Sequence, residues 1–90
     1  MLLHLGKDVS VFTNDIVMIM DVQSVLSTAA TQRFFAHAQD QSHVVQLCEQ
    51  PPKSYVLIRR KGEAQRLYGS PISAATLLKR CEDAERARVR

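Results

Sequence analysis

The chain has 90 residues, of which 46% are hydrophobic and 23% are charged, so it suits one folded domain and is too apolar for disorder. No apolar run reaches the ~20 residues of a membrane span, and the N-terminus lacks the basic region of a signal peptide. Two cysteines are too few for a disulfide framework, so we expect a cytoplasmic, reduced protein. The net charge of +3 neither requires nor excludes a polyanionic partner.

Charge is distributed unevenly along the chain. Residues 1–52 carry two basic and five acidic residues, whereas residues 53–66 carry five basic residues and one acidic residue. Residues 67–90 carry five basic and three acidic residues. The net charge of the short middle segment is therefore more positive than the net charge of the whole chain.

Hydrophobic patterns predict three strands at the start of the chain. Residues 2–5 and the alternation around Val9 and Val11 predict the first two, and residues 13–15 predict a turn. The continuous apolar run at 16–20 is typical of a strand covered on both faces. A domain this small has few elements with which to cover both faces of this strand. Either a second subunit covers one face, or some of these side chains are exposed.

A helix is predicted in the middle of the chain. It follows a loop at residues 24–27, has Ser27 or Thr28 as its N-cap, and ends near Gln41. The side chains expected on its buried face are Ala30, Phe34, Phe35 and Ala38.

Three more strands and a second helix complete the prediction. Strands are expected at 44–48 and 54–58, with a return strand at Leu67 and a hairpin turn at Gly62, which can adopt a positive φ. The last helix has Ser73 as its N-cap. Its predicted buried stripe is Ala74, Leu77, Leu78 and Cys81. The order β-β-β-α-β-β-β-α predicts an α+β fold with a small, mainly antiparallel sheet and two helices.

The sequence contains no arrangement typical of catalysis or metal binding. None of the three histidines stands at a metal-ligand spacing from the cysteines, and Cys48 and Cys81 are expected to be buried thiols. Asp15 and Asp21 flank one strand, where solvation of the strand ends is favoured over a paired acid–base role. We therefore expect a non-enzymatic protein with no metal or cofactor.

The predicted hairpin is the strongest functional candidate. Arg59, Arg60, Lys61 and Arg66 lie on two strands and a turn, so their side chains can converge. The planar guanidinium group of arginine and the charged ammonium group of lysine both bind phosphate oxygens well. Two-stranded β-ribbons are also known to enter DNA grooves. From charge alone, a solvated hairpin tip is the competing interpretation.

Several short motifs occur in order between residue 1 and about residue 81. They are His4-Leu5-Gly6 with Asp8; Thr13 with Asp15-Ile16-Val17, Ile19 and Asp21; Pro52-Lys53-Ser54-Tyr55-Val56; and Ser70-Pro71-Ile72-Ser73 with Thr76-Leu77 and Lys79-Arg80. By this ordered set the chain resembles the Rem proteins, a family of small bacterial extracellular-matrix (biofilm) regulators, and the RemB branch more closely than RemA.

The resemblance implies a fold, an assembly and a function. RemA relatives are similar to LytTR-type DNA-binding domains, assemble into rings, bind DNA along the ring's flank, and activate matrix and osmoprotection genes. The resemblance also implies a single Rem-type domain over residues 1–81. Residues 82–90 fall outside the motifs as a basic tail, either continuing the last helix or frayed. A ring would also cover the apolar strand at 16–20.

The chain departs from the family pattern at its arginines. RemA-type proteins carry two adjacent arginines just before the first strand of the basic hairpin, and the matching positions here are Gln50 and Pro51. RemA-type proteins carry a third arginine at a position that corresponds here to the neighbourhood of Asp15. Among the residues around Gln50 and Pro51, only Lys53 keeps a positive charge. RemB relatives have a short acidic hairpin turn where this chain is basic. We therefore hypothesise that the basic site has moved from one end of this strand to the other.

Two functions follow for the same oligomer. The first is a ring-forming, DNA-binding regulator that makes phosphate contacts, which position a protein without reading sequence. Its partners would be DNA, further copies of itself and a paralogous regulator, with no membrane and no small-molecule substrate. The second is a protein-interaction module with no direct DNA role, which would expose an apolar patch instead. The residues predicted to contact DNA are Lys53, Arg59, Arg60, Lys61 and Arg66.

Overall fold

Six strands and three helices follow one another in the computed structural model, which describes residues 1–88. The strands are β1 (Leu2–Gly6), β2 (Val9–Phe12), β3 (Ile16–Asp21), β4 (His43–Gln46), β5 (Ser54–Ile58) and β6 (Arg66–Ser70). The helices are α1 (Val22–Val25), α2 (Ala29–Gln41) and α3 (Ala74–Arg88), and a 3-10 turn at Thr13–Asp15 joins β2 to β3. The α+β class predicted from the sequence is confirmed.

The strands form two sheets instead of the predicted single one. β1 and β2 make an antiparallel hairpin, and the other four strands form a sheet in the order β3-β5-β6-β4. β4 pairs with β6 in parallel, whereas β3 and β6 both pair antiparallel to β5. The larger sheet is therefore mixed. The connection from β4 to β5 contains Pro51-Pro52 and stays at one end of the sheet, where the Leu47 and Lys53 N–H groups donate to carbonyls at the end of β6.

Helix α1 begins at Val22 and overlaps the loop predicted at residues 24–27, so the prediction of two helices is wrong. The Asp21 side chain accepts a hydrogen bond of 2.8 Å from the Gln23 backbone N–H and caps this short helix. Val25 is buried at its end. Of the two serines in the predicted loop, Ser24 is exposed on this single turn of helix and Ser27 follows the turn.

Helix α2 has the predicted ends but a narrower buried face. The Thr28 side chain accepts a hydrogen bond from the Thr31 backbone N–H, and the helix ends at Gln41, as predicted. Ala38 is buried, but the Phe34 side chain is 44% exposed. Only one row of α2 side chains reaches the sheet, so the predicted wider apolar face is partly open to solvent.

Helix α3 begins as predicted and carries one unexpected exposed leucine. The Ser73 hydroxyl accepts a hydrogen bond of 3.2 Å from the Thr76 backbone N–H. Leu77 is fully buried, but Leu78, expected in the same stripe, is 49% exposed. The helix continues to Arg88, and the last two residues of the predicted basic tail lie outside the described residues.

The central strand β5 is covered on both faces, whereas β3 is covered only in part, with Ile19 packed against one core and Met20 in the other. Val56 and Ile58 pack in a core with the β1–β2 hairpin and α3, whereas Leu57 packs in a second core with α1 and α2. β3 lies at the sheet edge, where Val17 is 51% and Met18 39% exposed. A single chain thus supplies both covering layers. Of the two alternatives stated for residues 16–20, the structure shows the one in which some of the side chains are exposed.

Two fully buried serines attach the hairpin and α3 to the sheet. The Ser70 hydroxyl donates to the Leu5 carbonyl and accepts from the Ile72 backbone N–H. The Ser54 hydroxyl donates to the Ile72 carbonyl at 2.7 Å. Beside them, Gly6 has φ +140°, and a Cβ there would lie 2.8 Å from the Pro71 ring, so this contact requires glycine. Within residues 1–88, no helix has the length and apolarity to cross a bilayer.

Candidate nucleic-acid interface

The predicted basic hairpin is present, and its tip is a longer loop than expected. β5 and β6 pair antiparallel up to Ile58 opposite Arg66, and residues 59–65 connect them. Gly62 adopts φ +81° in the turn, which a residue with a Cβ rarely does. We call residues 59–66 the basic loop, and it lies at the end of the sheet where β3 begins, since the Arg59 N–H donates to the Asp15 carbonyl.

Arg59 is exposed and held by a neutral partner. Its Nη2 and Nε donate to the Gln65 Oε1 at 2.8 and 3.3 Å. Gln65 in turn donates from Nε2 to the Ser42 hydroxyl at 2.8 Å, which connects the loop to the end of α2. Because the partner is uncharged, the positive charge of Arg59 is positioned but not neutralised.

Arg60 is engaged by two carboxylates. Its Nε lies 3.4 Å from Asp15 Oδ2 and 3.2 Å from Glu63 Oε2. The guanidinium also lies over the Phe12 ring, 5.9 Å from its centroid. Half of the side chain remains exposed, and exposed ion pairs are worth only ~0–1 kcal/mol. A phosphate can therefore compete with these carboxylates.

Arg66 shares the same acidic partner. Its Nη2 lies 3.7 Å from Glu63 Oε1, and its Nη1 donates to the Tyr68 hydroxyl at 3.4 Å. The hydrogen bond and charge interaction with Tyr68 are the main causes that raise the pKa of Arg66, so it stays a cation. Glu63 thus bridges two of the predicted DNA-contacting arginines.

Lys61 and Lys53 lie at different ends of β5. Lys61 is exposed in the turn and forms no ion pair within the described part of the chain. Lys53 is exposed just before β5, where its backbone bonds to Ser70 and Val22. Lys53 and Arg59 lie six positions apart along extended chain, about 20 Å at ~3.3 Å per residue. The structure therefore brings four of the five predicted residues together and leaves Lys53 apart.

Two carboxylates that reduce the charge of the site enter from different parts of the fold. Glu63 lies within the basic loop, and Asp15 arrives from the turn before β3. The four basic side chains of the loop and these two carboxylates leave a local excess of two positive charges. Sequence reasoning counted Glu63 but missed Asp15, because that contact exists only once β3 pairs with β5.

A groove beside Arg59 extends the polar surface onto α2. It has a volume of about 400 Å³, and its lining includes exposed apolar side chains, among them Phe34. Its polar lining residues are His37 and Gln41 of α2 with Arg59 and Gln65 of the loop. His37 and Gln41 stand four positions apart, a spacing that places them on one helix face. This spacing was the available sequence signal, and the prediction did not use it.

The remaining candidate residues have structural contacts. The His4 Nε2 donates to the Lys7 carbonyl at 2.7 Å and closes the first hairpin. The Cys48 thiol donates to the Gln50 carbonyl. Burial raises the pKa of the Cys81 thiol, and Glu85 adds to this. No group of three potential metal ligands of the His, Cys, Asp or Glu type occurs within residues 1–88.

Comparison with known proteins gives one family. The family model RemA-like, described as extracellular matrix regulatory protein A-like, matches residues 2–81. The matched segment extends from β1 into α3 and includes the whole basic loop. Among curated proteins, none matched the chain.

Proposed function

The chain belongs to the RemA-like family of extracellular matrix regulatory proteins, and on this premise we propose that it is a DNA-binding transcriptional regulator acting as a ring-shaped homo-oligomer. The basic loop is the DNA contact in this proposal, and its side chains bind phosphate oxygens. The observation that carries the proposal is the exposed cluster of Arg59, Arg60, Lys61 and Arg66 at one end of the sheet.

The loop residues have distinct roles in this proposal. Arg59 and Lys61 meet phosphates first, because no carboxylate in the described chain pairs with either. Arg60 and Arg66 follow when a phosphate replaces Glu63, which exchanges one weak exposed ion pair for a charge-assisted contact. Lys53 belongs to a second, separate contact about 20 Å away. Contacts of this kind position DNA without specifying its sequence.

Assembly compensates for the small charge of each copy. A local excess of two positive charges gives weak binding alone, but several copies facing one duplex add their contacts through avidity. Small losses per subunit then multiply into a large loss for the oligomer. Further elements of the proposal are a cytoplasmic location, membership of the RemB-like branch, a non-enzymatic mode of action, and a paralogous regulator as an additional partner.

A protein-interaction module is the second candidate function. Leu2 and Phe12 form a cross-strand pair on the outer face of the β1–β2 hairpin and are 61% and 50% exposed. Exposed apolar surface of this kind suits contact with a protein. In this alternative the oligomer forms, but DNA does not bind.

Alanine variants separate these two functions. We expect Arg59→Ala/Arg60→Ala to abolish nearly all DNA binding at ~50 mM salt, where phosphate contacts are strongest. Its oligomer mass should not change, because exposed substitutions rarely cost more than about 0.5 kcal/mol. The control is Arg86→Ala/Arg88→Ala/Arg90→Ala in the tail. Loss of binding in the tail variant alone would refute the loop assignment, and a wild-type protein that binds no DNA would favour the interaction module.

A further inference from the structure

The groove between helix α2 and the basic loop brings exposed apolar side chains to a cation that no carboxylate neutralises. We call it the α2 groove, and its volume of about 400 Å³ lies within the range of about 300–1,000 Å³ that is typical of small-ligand sites. Phe34 and Val17 line it and are 44% and 51% exposed. Among the described residues that line the groove, none carries a carboxylate. The α2 groove therefore suits a ligand that combines an apolar surface with a negative charge.

Arg59 is oriented at this groove and keeps most of its donors free. Its Nη2 and Nε donate to the Gln65 Oε1, and the Gln65 Nε2 donates to the Ser42 hydroxyl, directly after α2. This chain of hydrogen bonds holds the guanidinium against the end of the helix. Arginine has five N–H donors, and within residues 1–88 only two of those of Arg59 bond to a side-chain acceptor. The others suit the oxygens of a phosphate.

The aromatic ring in the groove lacks a stacking partner. Phe35, the next residue of α2, packs against the Tyr55 ring with centroids 4.7 Å apart. Phe34 forms no such pair in the part of the chain that the structure describes. An exposed ring next to a cation is the combination on which nucleobases stack, because every base has a π-face and a neighbouring phosphate.

His37 and Gln41 supply hydrogen-bonding groups on the same side of α2. They are exposed and follow Phe34 by three and seven positions, a spacing that places all three on one helix face. The Gln41 Nε2 donates to Asp40 at 3.3 Å, while its Oε1 and the His37 ring form no hydrogen bond within residues 1–88. These free groups match the donors and acceptors on the edge of a nucleobase.

We infer that the α2 groove binds one nucleoside phosphate unit, with its base against Phe34 and its phosphate on Arg59. The edge of the base then faces His37 and Gln41. Inorganic phosphate alone would leave the apolar lining unoccupied, and an apolar acid would leave both hydrogen-bonding side chains without a partner. A base inside a duplex has both faces stacked, so the unit is a free nucleotide or an unpaired nucleotide of a strand.

The inference rests on the role of Arg59 as a phosphate contact in the proposed function and adds a base contact beside it. Phosphate contacts carry no information about sequence. A base held by His37 and Gln41 makes affinity depend on which base is present.

Fluorescence anisotropy of an aminopurine deoxynucleoside monophosphate tests the groove. The protein contains no tryptophan, so the signal comes from the nucleotide. We expect saturable binding that unlabelled deoxyadenosine monophosphate reverses at lower concentration than inorganic phosphate or decanoate at the same ionic strength. Absence of binding, or equal competition by phosphate or decanoate, would overturn the inference.

Substitutions of Phe34 separate stacking from simple apolar contact. Phe34→Leu keeps an apolar side chain without a π-face and should weaken nucleotide binding roughly five- to 150-fold, whereas Phe34→Tyr should retain it. Leu26→Ala, which removes an exposed apolar side chain outside the groove, is the matched control and should bind as the wild type does. Circular dichroism checks that each variant is folded. Equal affinities of the leucine and tyrosine variants would contradict a stacked base.

Strands of DNA distinguish the source of the nucleotide and keep the two proposals apart. If Phe34→Leu weakens a short single strand as well as the mononucleotide, the unit is an unpaired nucleotide of DNA; if it weakens only the mononucleotide, the ligand is a free nucleotide. Duplex affinity should be the same in Phe34→Leu and wild type. Duplex binding without nucleotide binding would overturn this inference alone, and nucleotide binding without duplex binding would refute the proposed function alone.

Discussion

At the scale of single residues, the site is set by which partners the arginines already have. Arg59 is held by a neutral amide, whereas Arg60 and Arg66 share the carboxylate of Glu63. Four arginines and lysines in one loop therefore do not present four equal charges. The acidic residue between them controls how much positive charge reaches the surface.

Replacing Glu63 with glutamine should strengthen DNA binding. Glu63→Gln removes the charge that lies 3.2 Å from Arg60 and 3.7 Å from Arg66. Since an exposed ion pair is worth ~0–1 kcal/mol, we expect up to about fivefold tighter binding per subunit. Fluorescence anisotropy with a labelled duplex measures the change. Glu49→Gln, which removes one exposed carboxylate elsewhere, is the control, and equal gains in both variants would mean that only net charge matters.

The Cys81 thiol should make stability depend on pH in the alkaline range. Burial raises its pKa in the folded chain above the ordinary value of 9.0. The unfolded chain then releases this proton at lower pH than the folded chain, so the free energy of unfolding falls as pH rises through about 9. Urea denaturation at pH 8 and pH 10 should show a smaller decrease in Cys81→Ala than in wild type. The same decrease in both proteins would exclude this thiol as a cause.

At the scale of elements, buried hydroxyls join the hairpin and α3 to the sheet. Ser70 contacts both Leu5 and Ile72, which belong to segments far apart in sequence. Ser54 contacts Ile72 from the neighbouring strand. These hydrogen bonds fix the position of β1 and of the start of α3 over one face of the sheet.

Removing the Ser70 hydroxyl should destabilise the whole fold. Ser70→Ala leaves the buried Leu5 carbonyl and Ile72 N–H without this partner, which costs about 1–3 kcal/mol. The midpoint of urea denaturation should decrease accordingly. Ser10→Ala, at an exposed position of β2, should change stability by less than about 0.5 kcal/mol. Equal effects of the two substitutions would contradict the role given to Ser70.

Local patterns predicted the elements better than their arrangement. All six strands, the N-caps Thr28 and Ser73 and the basic hairpin follow from periodicity and capping, which depend on neighbouring residues. The sheet order depends on packing between distant segments. For that reason the apolar run at 16–20 did not reveal that β3 is an edge strand with Val17 and Met18 exposed. Helix α1 was missed because a single turn of helix has too few residues for a periodic signal.

The candidate site was predictable to the same extent. The convergence of Arg59, Arg60, Lys61 and Arg66 follows from a hairpin, which is a local structure. The Asp15 contact, the Gln65–Ser42 link and the groove with His37 depend on tertiary packing. Lys53 was grouped with the loop through a resemblance to other chains, and the length of β5 separates it from the others.

At the scale of the whole molecule, one chain presents two surfaces that suit assembly and DNA. The β3 edge offers unpaired backbone and apolar side chains, and the basic loop offers cations at the end of the same sheet. In the proposed function, assembly multiplies the loop and thereby converts a weak excess of charge into DNA affinity. The central claim is therefore that binding is electrostatic and passes through the basic loop.

The salt dependence of DNA affinity tests this claim most directly. In a titration from ~50 to ~200 mM salt, the logarithm of the wild-type affinity should fall linearly with the logarithm of salt concentration, with a slope near −0.9 for each phosphate contacted. Arg59→Ala/Arg60→Ala should flatten this slope, and the Arg86/Arg88/Arg90 alanine variant should keep it. A wild-type affinity that does not change with salt, or a slope that the loop substitutions leave unchanged, would contradict the account.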